Sequence, residues 1–67
     1  MRDLYLGDIK PGECYELHDG TIAYVHSMTD RYIECYIRER ASPGCWSCCL
    51  YERFKFKQAV RTMYMEG

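Results

Sequence analysis

From Arg31 to Glu39 polar and apolar positions alternate without a break, so an extended strand places Ile33, Cys35 and Ile37 on one face. Tyr32, Glu34, Tyr36 and Arg38 fall on the other, and the pattern predicts a half-buried strand with an aromatic and polar outer surface. Thr21 to Ser27 is rich in β-branched and aromatic residues; Ala23 and Val25 lie opposite Ile22, Tyr24 and His26, and the smaller pair is assigned to the core. Glu13 to Leu17 is a shorter run that stops before Asp19-Gly20, a dipeptide that favours a tight turn, so the two runs predict a hairpin. Cys45 to Leu50 reads as a fourth strand that buries Trp46, Cys48 and Leu50 and turns Cys45, Ser47 and Cys49 outward.

Turn-prone clusters separate these runs at Lys10-Pro11-Gly12, His18-Asp19-Gly20, Met28-Thr29-Asp30 and Ser42-Pro43-Gly44. Spacing of about ten residues between turns is that of a small all-β domain. The tail admits two readings. Phe56, Ala59, Val60, Met63 and Tyr64 keep helical spacing with Arg53, Lys57 and Arg61 outside, while Val60, Thr62 and Tyr64 also alternate as a strand. A closing strand protects a sheet edge that a four-strand meander would leave open. The expected fold is therefore mainly β, with five strands and a short helical turn near residues 51–56. The alternative is a four-stranded antiparallel sheet capped by a C-terminal helix.

The run KPGECYELHDGTIAYVHS, the long alternating strand, the Trp-containing strand and then LYERFKF resemble the small SH3-like barrels of bacterial and phage proteins. The resemblance spans residues 9–63 and lies in pattern. It implies a five-stranded, bent SH3-like barrel that acts as a binding module and brings no catalytic residues with it. A phage or mobile-element accessory protein that binds and modulates a host protein, as an inhibitor does, is the role it suggests.

A chain of 67 residues forms one domain, here 1–67, and buries only about 60% of the surface its unfolded form exposes. So thin a core leaves little room for a water-excluding cleft, and the expectation is a protein without enzymatic activity. No apolar run reaches the roughly 20 residues of a membrane span, and MRDLYLGDIKPG lacks the cationic start and apolar stretch of a signal peptide. No membrane contact and a cytoplasmic location are expected. Five cysteines, an odd number, suit reduced thiols better than a disulfide scaffold.

Charge divides unevenly. Residues 1–34 hold three Lys/Arg against seven Asp/Glu and residues 35–67 six against three, so the halves carry −4 and +3. Either the halves complement each other within one fold, or they form separate acidic and basic surfaces.

Four kinds of chemistry compete for these residues. Cys45-Trp46-Ser47-Cys48 has the spacing of half a zinc site and would need Cys14, Cys35, His18 or His26 as further ligands. On an extended strand Cys45 and Cys48 point to opposite faces, so no metal or other cofactor is expected and zinc stays an alternative. A redox pair would need a cysteine at a helix N-terminus after a strand, and the residues after Cys48 show no such pattern. Arg40, Arg53, Lys55, Lys57 and Arg61, with nearby tyrosines, form a candidate surface for nucleic acid. Tyr24, His26, Tyr32, Tyr36 and Arg38 gather on one outward face, and Tyr and Arg are enriched where one protein grips another. That face is the primary candidate, for a protein partner or for a second copy of the chain.

Overall fold

A computed structural model describes residues 7–42 and 44–65. Its elements are β1 (Cys14–Leu17), β2 (Thr21–Met28), β3 (Tyr32–Glu39), β4 (Ser47–Glu52), α1 (Arg53–Ala59) and β5 (Val60–Met63). The five strands form one antiparallel sheet in the order β4-β3-β2-β1-β5. β4 and β5 are its two edges, with α1 joining them. The domain is thus mainly β with one short helix, and the fifth strand removes the alternative of a four-stranded sheet capped by a terminal helix.

The turns form where the glycines permit them. The β1–β2 turn closes with the Gly20 N–H donating to the Leu17 carbonyl at 3.0 Å, and Gly20 sits at φ +91°, a conformation that a side chain disfavours. Asp19 Oδ1 accepts from the Thr21 N–H at 3.0 Å and from its hydroxyl at 2.6 Å, which fixes where β2 starts. Between β2 and β3 the Thr29 hydroxyl oxygen accepts from the Tyr32 N–H at 3.1 Å.

One face of the sheet builds the core from Tyr15, Leu17, Ala23, Val25, Ile33 and Cys35, closed by Phe56 and Val60. Ala23 and Val25 face the core as their alternation predicts, and so do Ile33 and Cys35. α1 has only seven residues, no side-chain cap and no acidic residue in its first turn, so helical propensity alone would not hold it. Phe56 holds it instead. Its ring meets Tyr15 edge-on at 6.0 Å and Tyr51 at 5.4 Å. The expected helical turn near 51–56 therefore lies further along, at Arg53–Ala59, because Tyr51 is still a strand residue packed on the core.

The same contact sets the register of β4 and corrects the expected burial there. Cys49 pairs with Cys35 and Tyr51 with Ile33, so Cys49 and Tyr51 face the core while Cys48 and Leu50 face outward. Trp46, Cys48 and Leu50, expected inside, are all exposed, Leu50 by 61%. Cys45 is exposed as expected, but it precedes the strand in a turn, where its N–H donates to the Ser42 carbonyl. Cys49 is the thiol that moves inward.

Two bulges mark the outer face. β2 carries an extra residue, His26, between the pairs Val25·Cys35 and Ser27·Glu34, which returns Met28 to the core side. β5 carries an extra Arg61 between Thr62·Glu16 and Val60·Leu17. Each bulge re-aims a polar side chain on the outward surface. Among the described residues no helix is long and apolar enough to cross a membrane.

Candidate functional site

The strand register arranges the outward face in cross-strand rows. One row runs from Thr62 of β5 through Glu16 and Ile22 to Arg38 of β3. The next runs through Cys14, Tyr24, Tyr36 and Cys48. The first row is sealed. Glu16 is buried, and its carboxylate forms an ion pair with Arg40 Nη1 at 3.1 Å and accepts a hydrogen bond from Arg61 Nη1 at 2.7 Å, the latter aimed by the β5 bulge. Here an acidic residue of the first half takes two cations of the second, so the charge asymmetry is partly resolved within the fold. Ile22, predicted to face away from the core, does so yet has no exposed surface, because this second layer covers it.

Arg38 belongs to that layer, which corrects its assignment to an exposed contact. It is only 5% exposed. Its guanidinium carbon lies 5.3 Å from the Trp46 ring centre and 5.7 Å from that of Tyr64, and its Nη1 donates to the Glu39 and Arg40 carbonyls at 3.2 and 3.4 Å. A flat, weakly hydrated guanidinium stacks on rings in this way where an ammonium would not. Arg38 thereby fixes Trp46 from beneath.

The second row stays open. Tyr24 and Tyr36 are direct cross-strand partners, and with Trp46 they line an apolar hollow of about 330 Å³. His26, turned outward by the β2 bulge, packs on Tyr36 with ring centres 5.6 Å apart. A neighbouring hollow of about 430 Å³ continues from Tyr36 past Cys48 to Leu50. Tyr32 is exposed, but four strand positions, about 14 Å, separate it from Tyr36. It lines a different hollow, of about 550 Å³, with Arg31, Arg53, Phe54 and Lys57. Of the expected contact set the structure brings together Tyr24, His26 and Tyr36, places Tyr32 elsewhere and buries Arg38.

The basic set divides as well. Arg40 and Arg61 are engaged by Glu16, and Lys55 by Glu52 at 3.5 Å. Arg53 and Lys57 remain around the Tyr32 hollow, joined by Arg31. Sequence reasoning missed Trp46, Leu50 and Phe54 as outward groups. Only the register of β4 and the start of α1 reveal them.

The thiols disperse. Cys14 and Cys48 share the outer face three strand spacings apart, about 14 Å, while Cys35 lies on the core face. Among the described residues no three His, Cys, Asp or Glu side chains come together as a metal site. The Cys35 thiol donates to the Cys49 carbonyl at 3.6 Å. Burial, reinforced by Cys49 and Cys48, pushes Cys35 up to about 12, so it stays protonated and unreactive at neutral pH. Burial, with the neighbouring thiols, raises Tyr51 too.

No protein-family model matches this chain, and no curated protein or solved structure matches it.

Proposed function

We propose that this chain is a non-enzymatic protein-binding module, built on an SH3-like plan, whose contact surface is the hollow formed by Tyr24, Tyr36 and Trp46. The plan is favoured by the strand order and by the single helix between β4 and β5. The contact reading is carried by one observation. Three large rings line an open apolar hollow while two other side chains brace them, His26 against Tyr36 and Arg38 under Trp46. Rings held in place before binding lose little entropy on contact, which is what makes Tyr and Trp effective anchors. By analogy with small phage proteins of similar plan, the partner is a host protein that the module modulates.

Affinity capture with the wild-type chain and with the double variant Y24A/Y36A tests this. The variant should lose the specific partner, by about 30-fold or more in affinity if these rings are anchors of about 2 kcal/mol or more, with an unchanged circular dichroism spectrum. Equal capture by a folded double variant would remove the proposal.

A second reading rests on the Tyr32 hollow, where two exposed aromatics, Tyr32 and Phe54, stand among Arg31, Arg53 and Lys57, with Asp30 and Glu52 on the same lining offsetting part of the positive charge. Bases stack on such rings while cations neutralise phosphates. Three phosphate contacts would give single-stranded oligonucleotide binding a log–log salt slope of about −2. No binding of an oligothymidine at low salt would eliminate this reading.

A further inference from the structure

The two edges of a sheet carry unpaired backbone groups, and the β4 edge lacks the usual protection. From Trp46 to Tyr51 it has no Lys, Arg, Asp, Glu or Pro, the residues that ordinarily block a further strand. Its free backbone groups follow from the pairing with β3. The Arg53 N–H donates to the Arg31 carbonyl at 2.7 Å, and the register continues as Tyr32·Glu52, Ile33·Tyr51 and Cys35·Cys49. Hydrogen-bonded and non-hydrogen-bonded pairs alternate along an antiparallel ladder, so Ser47, Cys49 and Tyr51 bond to β3. The N–H groups of Cys48, Leu50 and Glu52 point to the open side. Among the described residues no backbone hydrogen bond reaches them.

We infer that this edge pairs with the β4 edge of a second copy, antiparallel about a two-fold axis at Leu50. The symmetric register sets Leu50 opposite the second copy's Leu50 and Cys48 opposite its Glu52. The two Leu50 residues exchange two hydrogen bonds, and each Glu52 N–H reaches the opposing Cys48 carbonyl. Outward faces stay outward, so the exposed Leu50 side chains cover each other. An edge whose only charge is its terminal Glu52, with Leu50 exposed on its outer side, selects a strand of the same kind, and β4 is itself such a strand. Charge permits the match. The two Glu52 carboxylates lie four strand positions apart, about 14 Å and beyond the screening length, and the chain carries a net charge of only −1. Pairing β4 with β5 of another copy would be heterologous and open-ended, and β5 presents Arg61 and only four residues. The β4–β4 contact closes at two copies.

This contact uses backbone groups and not the aromatic hollow, so it stands or falls separately from the proposed function. Sedimentation equilibrium under reducing conditions, from about 1 µM to about 1 mM, spans the affinity range of a small strand-to-strand contact. The mass should rise from 8.0 kDa toward twice that value. L50K sets two like charges on the axis and should weaken association by at least about 10-fold, while Y24A/Y36A leaves it intact. Amide exchange supplies the second readout: Cys48, Leu50 and Glu52 should gain protection as concentration rises, while Cys49 and Tyr51 are protected throughout. A monomer at every concentration overturns the inference. So does a dimer indifferent to L50K, which would use another surface. Protection of Leu50 in a monomer also overturns it, because another segment of the chain would then occupy the edge.

Discussion

The outward face of the sheet has two ends that share one backbone and differ in chemistry. Along the row Thr62, Glu16, Ile22 and Arg38 a second layer covers the sheet: Glu16 holds Arg40 and Arg61, Arg38 lies against Trp46 and Tyr64, and Ile22 is wholly buried beneath them. Beyond it Tyr36, Cys48 and Leu50 line an open hollow with His26, and β4 carries no charge before its last residue, Glu52. A sheet this small cannot bury both faces of every strand. It covers the end where opposite charges and a stacked guanidinium can satisfy one another, and leaves open the end where rings and aliphatic groups face water. Covered surface contributes to stability, and open surface is available for contact.

Substitutions that exchange the two behaviours would break this contrast, and the largest effect belongs to Ile22. Although it faces away from the main core, I22A should cost about 2–5 kcal/mol in urea unfolding, as for a core aliphatic. A value near zero would mean that the second layer is loose. Glu16 comes next. E16A removes a carboxylate that accepts one charged hydrogen bond and pairs with a second arginine, and a loss of about 1–3 kcal/mol is expected, with the effect shrinking at high salt because both arginine partners are largely exposed.

Cys35 tests whether the open end is open only at its surface. With its thiol raised from 9.0 to about 12, the folded chain keeps a proton that the unfolded chain releases. That contribution to stability is complete below about pH 9 and is lost as pH rises toward 12. C35V should flatten this alkaline decline. At pH 8, alkylation followed by mass spectrometry should label the exposed Cys45 and Cys48 well before Cys35. The smallest effect is expected at Leu50, where L50A should change monomer stability by no more than about 0.5 kcal/mol. Ile22 and Leu50 are both outer-face aliphatics, so the two alanine variants measure the contrast directly.

Much of the fold was legible from local pattern. Asp19-Gly20 marked the first hairpin, the alternation at Ile33 and Cys35 identified their core face, and Val60 began a closing strand. What stayed hidden depends on contacts distant in sequence. Cys48 and Leu50 are at least as apolar as Cys49 and Tyr51, so alternation alone cannot choose the face of β4; Tyr51 meeting Phe56 decides it. The bulges at His26 and Arg61 shift register by one residue without any glycine or proline to announce them. Arg38 reads as a surface charge until Trp46 and Tyr64 converge on it from outside its strand. Of the candidate contact, Tyr24, His26 and Tyr36 were legible, being neighbours in a simple hairpin. Trp46 required the register.

Amide hydrogen exchange, with and without the partner recovered by affinity capture, tests most directly whether contact falls on the open end. Protection should rise at Tyr24 and Tyr36 and stay unchanged at Glu16, Ile22 and Thr62. Protection gained at the sealed end, with none at Tyr24 and Tyr36, would contradict the account.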